Sequence, residues 1–235
     1  MTARSVVLSV LLGAHPAWAT PGELIRLTAD FGINDNALRV ALTRMVAAGD
    51  LIRSADGYRL SDRLLARQRR QDEALAPTVQ AWDRSWNTLV ITSVGSAARE
   101  RSAQRKVLLQ ARFGELREGV WLRPANVELD LPGEVAGRVR VLRSYDDNPA
   151  DLAGQLWDLP GWAATGRRLL DEMAAADGVP GRFVAAAAMV RHLLTDPLLP
   201  AELLPEGWPG DELRSSYATF AAELADRRDH MEVEA

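Results

Sequence analysis

Apolar positions between residues 20 and 60 change their period. Leu24, Leu27 and Phe31 recur at helical spacing, and Leu38, Leu42, Met45 and Val46 do so again. Leu51-Ile52-Arg53 and Tyr58-Arg59-Leu60 then read as short strands. Three- and four-residue spacing aligns side chains on one helical face, while short β-prone runs flanking a turn make a hairpin. Residue types mark the boundaries. Thr20-Pro21-Gly22-Glu23 predicts a helix start. The Thr20 hydroxyl can accept from the orphan amide three residues on, Pro21 suits the first turn, and Glu23 reaches back. Gly32 predicts the end of that helix, and Asn34 predicts the cap of a second one running from Asp35 to about Ala48 and stopping at Gly49. Asp56-Gly57 predicts the hairpin turn, since both residues tolerate positive φ. Helix, tight turn, helix and hairpin in this order predict a winged helix-turn-helix, whose second helix enters the DNA major groove.

That second helix has two faces. At about 100° per residue its leucines, Met45 and Val46 gather on a core side. The opposite side carries Asn36, Val40, Thr43 and Ala47, flanked by Arg39 and Arg44. Small and hydrogen-bonding residues let a helix sink into a groove: Asn reads adenine, Arg reads guanine or grips phosphate, and Val or Thr meets a thymine methyl. With Asn34 at the cap and Arg59 in the hairpin, Asn36, Arg39, Val40, Thr43 and Arg44 form the expected DNA-binding set. Any solvated helix also presents polar residues opposite its core stripe. The order of the elements is what favours DNA.

Upstream, Arg4, the apolar run Val6 to Leu12 and Ala17-Trp18-Ala19 imitate a secretory signal with its cleavage site. The preferred reading is a first helix over Ser5 to Gly13, covering the core of Leu24, Leu42 and Met45, in a cytoplasmic protein. Cleavage after Ala19 would remove a helix that a three-helix core requires. Downstream, Ser61 to Ala76 predicts a helix laden with Arg63, Arg67, Arg69 and Arg70, as a solvated linker or as extra phosphate contact. A β-like run Thr88 to Val94, a helix from about Ala98 to Phe113, and strands Gly119 to Arg123 and Val139 to Tyr145 predict a small ferredoxin-like domain. From Asp151 the chain reads as helical: one long element carrying Trp157, Trp162, Leu169, Leu170 and Met173, a second from Arg182 to Leu194, and a last from Asp211 to about Arg228. A Pro-rich connector, Asp196 to Gly210, joins the last two. The expected class is α+β, with a winged helix-turn-helix and linker helix over 1–76, a ferredoxin-like domain over 77–150 and a helical domain over 151–235.

Composition narrows the chemistry. With no cysteine among 235 residues, neither a disulfide framework nor a thiolate metal site is available. Histidines stand only at 15, 192 and 230, too scattered for a histidine-rich metal site, and no metal or cofactor is expected. The net charge is −4, yet residues 1–70 hold ten Arg against six acids, a net of +4, so the basic charge sits where the motif sits. Lys106 is the only lysine, which reflects coding bias more than function. No run approaches the ~18 apolar residues of a membrane span. No G-x-S-x-G, P-loop or H-E-x-x-H occurs, and Asp146-Asp147 beside Asn148-Pro149 reads as a solvated turn, so no enzyme is expected.

Several separated segments together resemble the PaaX-type repressors of phenylacetic acid degradation. They are Phe31-Gly32-Ile33 with Ala37 to Val46 and Gly49, Trp82-Asp83 with Trp86, Phe113-Gly114 with Gly119 to Pro124, and Leu156-Trp157-Asp158-Leu159. The most specific is Asp196-Pro197-Leu198-Leu199-Pro200-Ala201-Glu202-Leu203-Leu204-Pro205, followed by Trp208-Pro209-Gly210. The resemblance implies a winged helix, a middle domain similar to the Cas2 fold and a helical C-terminal domain. It also implies a homodimer that binds a pseudo-palindromic duplex operator and is released by an acyl-coenzyme A effector, typically phenylacetyl-coenzyme A. Two departures stand out. The family's wing is often longer and basic, whereas the turn here is only Ser54-Ala55-Asp56-Gly57. A large apolar residue commonly follows the helix-ending glycine, whereas here Asp50 does, an exchange expected to loosen packing at the wing base.

The Cas2 likeness raises the alternative of a nuclease. Such enzymes place a metal-binding Asp at the end of the first strand of the domain, but this strand ends Ile91-Thr92-Ser93-Val94. For the effector, an aromatic acyl group wants apolar walls and coenzyme A phosphates want Arg or helix N-termini. Trp157, Trp162 and Trp208 are core fillers first. The functional reading has Trp208, Arg191 and His192 walling a pocket, with Arg99, Arg105 and Lys106 serving the phosphates. A solvated helix face accounts for those last three equally.

Overall fold

A computed structural model describes the backbone of residues 1–93 and 97–233, and side chains as far as residue 226. Val94, where the expected strand run ends, and the His230 side chain lie outside the described residues. The N-terminal part holds α1 (Ala3–Gly13), β1 (Trp18–Ala19), α2 (Pro21–Ala29), α3 (Asp35–Ala47), β2 (Leu51–Arg53), β3 (Tyr58–Leu60) and α4 (Asp62–Leu75). The middle holds β4 (Trp86–Ile91), α5 (Ala98–Gln110), β5 (Gly114–Arg117), β6 (Val120–Pro124), α6 (Gly133–Ala136) and β7 (Val139–Ser144). Then come α7 (Pro149–Leu156), α8 (Leu159–Ala175), α9 (Gly178–Leu193), a 3₁₀ turn at Ala201–Leu203, and α10 (Gly210–Val233). The chain forms two compact units. One comprises Met1–Leu75, Leu169–Arg191 and the chain from Glu212 on; the other comprises Ala76–Arg168 and His192–Asp211.

The first unit is built around the winged helix. Thr20 and Glu23 make the expected reciprocal cap: the Glu23 amide donates to the Thr20 hydroxyl at 3.1 Å, and the Thr20 amide donates to the Glu23 carboxylate at 2.6 Å. Val7, Leu11, Leu24, Leu38, Leu42, Met45, Leu51 and Leu60 close one core. Phe31 departs from the expected stripe. It lies beyond the end of α2 and packs edge-on against Phe183 of α9, with ring centroids 5.0 Å apart.

The sheet of this unit has three strands in the order β1-β3-β2, because Trp18 and Ala19 pair with Arg59 and Tyr58. The segment that imitates a cleavage site is thus a strand. Its presence also explains Gly57, whose φ is not positive. A Cβ there would stand 2.5 Å from the Ala19 carbonyl oxygen and 2.9 Å from Trp18 Nε1. Gly57→Ala is therefore expected to destabilise the protein by about 1–3 kcal/mol through overpacking. The readout is a lower urea midpoint at unchanged slope. A midpoint equal to that of the wild type would mean that β1 does not press on the wing.

In the second unit a four-stranded antiparallel sheet has the order β5-β6-β4-β7, the ferredoxin-like arrangement. Its central strands are buried on both faces. Leu89 and Trp121 pack with Leu108, Phe113 and Val135 on one side, beneath α5 and α6. Trp86 and Leu122 pack on the other with Leu152, Leu159, Leu199 and Leu203. The Pro-rich connector thus supplies part of the second layer. Asn126 donates to the Leu198 carbonyl at 2.9 Å, and Arg112 caps the end of α9 by donating to the Leu193 and Leu194 carbonyls at 3.1 and 3.0 Å. The long helix expected from Asp151 breaks at Trp157, which is extended, because the Asp158 carboxylate accepts from the Gly161 amide at 3.0 Å and starts α8 afresh.

Candidate nucleic-acid interface

Asn34 begins α3, its Oδ1 accepting from the Ala37 amide at 2.9 Å. That oxygen is committed to the cap, so only the side-chain NH₂ is left to face another molecule. Leu38, Leu42 and Met45 are buried, which turns Asn36, Arg39, Val40, Thr43 and Arg44 outward. Val40, in the middle of the helix, is 49% exposed. Thr43 donates its hydroxyl back to the Arg39 carbonyl at 2.9 Å and so offers its methyl and an acceptor lone pair. Among the described residues Arg39 and Arg44 form no ion pair.

Gly49, at φ +70, turns the chain out of α3. Asp50 follows, and it does not loosen the wing base. Its side chain is 3% exposed and is gripped from two elements, by Arg4 of α1 at 2.8 Å and by Arg63 of α4 at 2.5 Å. Arg63, one of the expected phosphate candidates of α4, is thereby paired within the chain, though its side chain stays largely exposed. In the wing the Ser54 amide donates to the Gly57 carbonyl at 2.9 Å, closing a tight turn. Arg59 is exposed and lies opposite Ile52, while Arg53 is exposed opposite Tyr58. Arg53 belongs with the outward cations, although the expected set omits it. The alternation of a three-residue strand is too short to assign its face from sequence.

The residues expected to bind an effector are not brought together. Arg191 lines a cavity of the first unit. His192 and Trp208 belong to the second, where they sandwich Trp162 in a stack of three rings at 4.1 and 4.3 Å. Burial lowers the His192 imidazole from its ordinary value, against the opposing pull of the Trp162 carbonyl 3.0 Å away and of Asp196. A neutral ring is the form that stacks and bonds here. A cavity of about 500 Å³ adjoins Trp162 and His192, with Asp158 and Thr165 in its wall. Arg99, Arg105 and Lys106 are exposed on α5 and line neither cavity. Arg105 is occupied by an ion pair to Glu115 and by stacking over Trp121 at 5.2 Å.

The first strand of the ferredoxin-like domain is followed by the hydroxyls of Thr92 and Ser93 rather than by carboxylates, the Thr92 hydroxyl donating to the Arg138 carbonyl at 3.2 Å. Among the described residues no group of three His, Asp or Glu could hold a metal ion. Asp146 accepts from the Asn148 amide at 2.8 Å, making the turn that opens α7. Arg123, buried beneath Phe113 at 4.9 Å, donates to the carbonyls of Ala111, Val127 and Glu128. Burial draws it down to about 10, still protonated at neutral pH. It holds the loop after β6. No helix among the described residues is long and apolar enough to cross a membrane.

Comparison with known proteins agrees along the chain. Residues 2–64 match the PaaX-like protein family, residues 79–139 the PaaX protein central Cas2-like domain, and residues 163–232 the PaaX-like protein C-terminal domain. The chain is also similar to a solved structure, the uncharacterized protein Rv0674 from Mycobacterium tuberculosis. The two are 68% identical, the match covers 98% of this chain and 99% of that one, and the TM-score is 0.89. No curated protein sequence matches. Three domain matches in consecutive order, over the winged helix, the ferredoxin-like sheet and the C-terminal helices, show that the chain belongs to the PaaX family of transcriptional regulators.

Proposed function

We propose that this protein is a DNA-binding repressor of an aromatic-acid catabolic operon of the phenylacetate type. In this reading it binds a pseudo-palindromic operator as a dimer and leaves it when an acyl-coenzyme A thioester such as phenylacetyl-coenzyme A binds. The observation that carries the proposal is the outer face of α3. Arg39, Val40, Thr43 and Arg44 point away from a closed core, beside a wing bearing Arg53 and Arg59. A helix with an apolar contact, a hydroxyl and exposed guanidiniums on one face has what base edges and phosphates require. The nuclease alternative is disfavoured because Thr92 and Ser93 stand where a metal-holding carboxylate is needed.

Release requires that the ligand favour a conformation that misfits the half-sites. Coupling of about 1–3 kcal/mol accounts for a roughly 5–150-fold loss of operator affinity. The test is hydroxyl-radical footprinting of the full-length protein on DNA from upstream of its own gene. Two protected half-sites are expected, with centres about one helical turn or a multiple apart. Affinity that is equal for that DNA and for a scrambled duplex would sink the proposal.

A further inference from the structure

A cavity of about 460 Å³ opens within the first unit, between α1 with its following loop, α2, α4, α9 and α10. Folded interiors rarely leave a void of this size without use. Val10, Leu27, Leu75, Phe183, Val190 and Phe220 build an apolar part of its wall. Ala186, Ala187 and Ala221 keep it open where longer side chains would fill it.

Six polar side chains interrupt that wall: Ser9, His15, Arg67, Gln71, Arg191 and Tyr217, of which His15 is engaged by Asp72 at 3.1 Å. Gln71 is only 8% exposed, and its Oε1 has no hydrogen-bond partner among the described residues. A buried amide oxygen left unpaired is costly, and a ligand donor would relieve it. Burial, with Asp72 nearby, raises the Tyr217 phenol above its ordinary value, so it remains an O–H donor. Arg67 and Arg191 are exposed and form no ion pair among the described residues.

We propose that this cavity is the site of an amphiphilic anion, with an aryl or medium-chain acyl body against the apolar wall, its polar linkage at Gln71 and Tyr217, and its negative group at Arg67 and Arg191. The regulatory meaning of the site rests on the release reading above. A free carboxylate and an acyl-coenzyme A thioester both bring an apolar body joined to negative charge. The cavity beside Trp162 lacks this chemistry, having Asp158 in its wall and no arginine. The position also suits regulation. Leu12 of α1 lines the cavity and belongs to the winged-helix core, and α4 contributes Gln71 to the one and Leu64 to the other. An occupant therefore bears on helices that set the packing beneath α3.

The test is titration calorimetry of the full-length protein with phenylacetyl-coenzyme A, phenylacetate, octanoyl-coenzyme A, octanoate and free coenzyme A. At least one apolar ligand is expected to bind, and free coenzyme A to bind about tenfold or more weakly by comparison. Ala187→Phe, which fills the cavity, should weaken binding at least about tenfold, and the Arg67→Ala/Arg191→Ala variant by roughly as much. The arginine pair is exposed, so it carries the test if the Phe variant fails to fold. Absence of binding by all four apolar ligands overturns the site, as does unchanged affinity in a folded variant. If the variants lose binding but the wild type stays on its operator at saturating ligand, the site stands and the release reading falls. If phenylacetyl-coenzyme A displaces the folded Phe variant from DNA as readily as the wild type, release stands and the site is wrong.

Discussion

Replacing Arg39 and Arg44 together by alanine is expected to cost operator binding roughly 2–6 kcal/mol if both side chains read bases, at about 1–3 kcal/mol for each good contact. If they grip only phosphates, the loss is uniform over all sequences, and the slope of log affinity against log salt falls by about one per arginine. The two outcomes separate in a salt titration of fluorescence anisotropy on the operator and on a scrambled duplex. Stability should barely change, because both side chains are exposed and unpaired among the described residues. Val40→Asp tests the same surface from another direction, since a carboxylate there meets phosphate repulsion whatever the sequence. A folded double-alanine variant with wild-type affinity and salt slope would show that α3 is not the helix in the groove.

The elements that carry this surface were legible in the sequence because their signals are local. Thr20 and Glu23 announce a capping box three residues apart, Asn34 caps α3, Gly49 ends it, and the two hairpin strands fall at Leu51–Arg53 and Tyr58–Leu60 as the pattern predicts. What escaped depends on residues distant in the chain. Two residues, Trp18–Ala19, are too short to show alternation, and they become a strand only because β3 offers its free edge. The turn at Asp56-Gly57 was legible but its reason was not: Gly57 is needed for close approach of β1, not for positive φ. β5 was hidden because Gly114–Arg117 is short and its pairing with β6 is bulged.

The same distinction separates the two candidate ligand regions. The Pro-Leu-Leu-Pro connector is conspicuous as sequence, yet Leu199 and Leu203 spend their side chains covering one face of the ferredoxin-like sheet. Trp162, Trp208 and His192 likewise satisfy one another by stacking. The cavity with Gln71 and Tyr217 has no sequence signature, because it gathers residues from α1, α2, α4, α9 and α10. In α4 the arginines look alike in sequence. The fold divides them, sending Arg63 to Asp50 and Arg67 to the cavity.

Asp50 supports the second large effect. Its side chain is 3% exposed, whereas its partners Arg4 and Arg63 are 59% and 67% exposed, so the two sides of the cluster are not equivalent. Removing the carboxylate by Asp50→Ala returns two arginines to water, where they are content, and forfeits charge-assisted bonds worth about 1.5–3 kcal/mol. Removing both arginines instead leaves an anion buried with neither partner, and the expected cost is about 3–5 kcal/mol. The order is the informative part: the Arg4→Ala/Arg63→Ala protein should unfold at lower urea than the Asp50→Ala protein, although it keeps the buried residue intact. Adding Asp50→Leu to the arginine pair should then recover most of the loss, since an apolar side chain suits a wing base beside Leu51, Leu60 and Leu64. The double-arginine variant matching wild-type stability would mean that the carboxylate is solvated there and the cluster is a surface ornament. Asp50→Ala proving the more costly of the two would place the energy in packing at the wing base rather than in the buried charge.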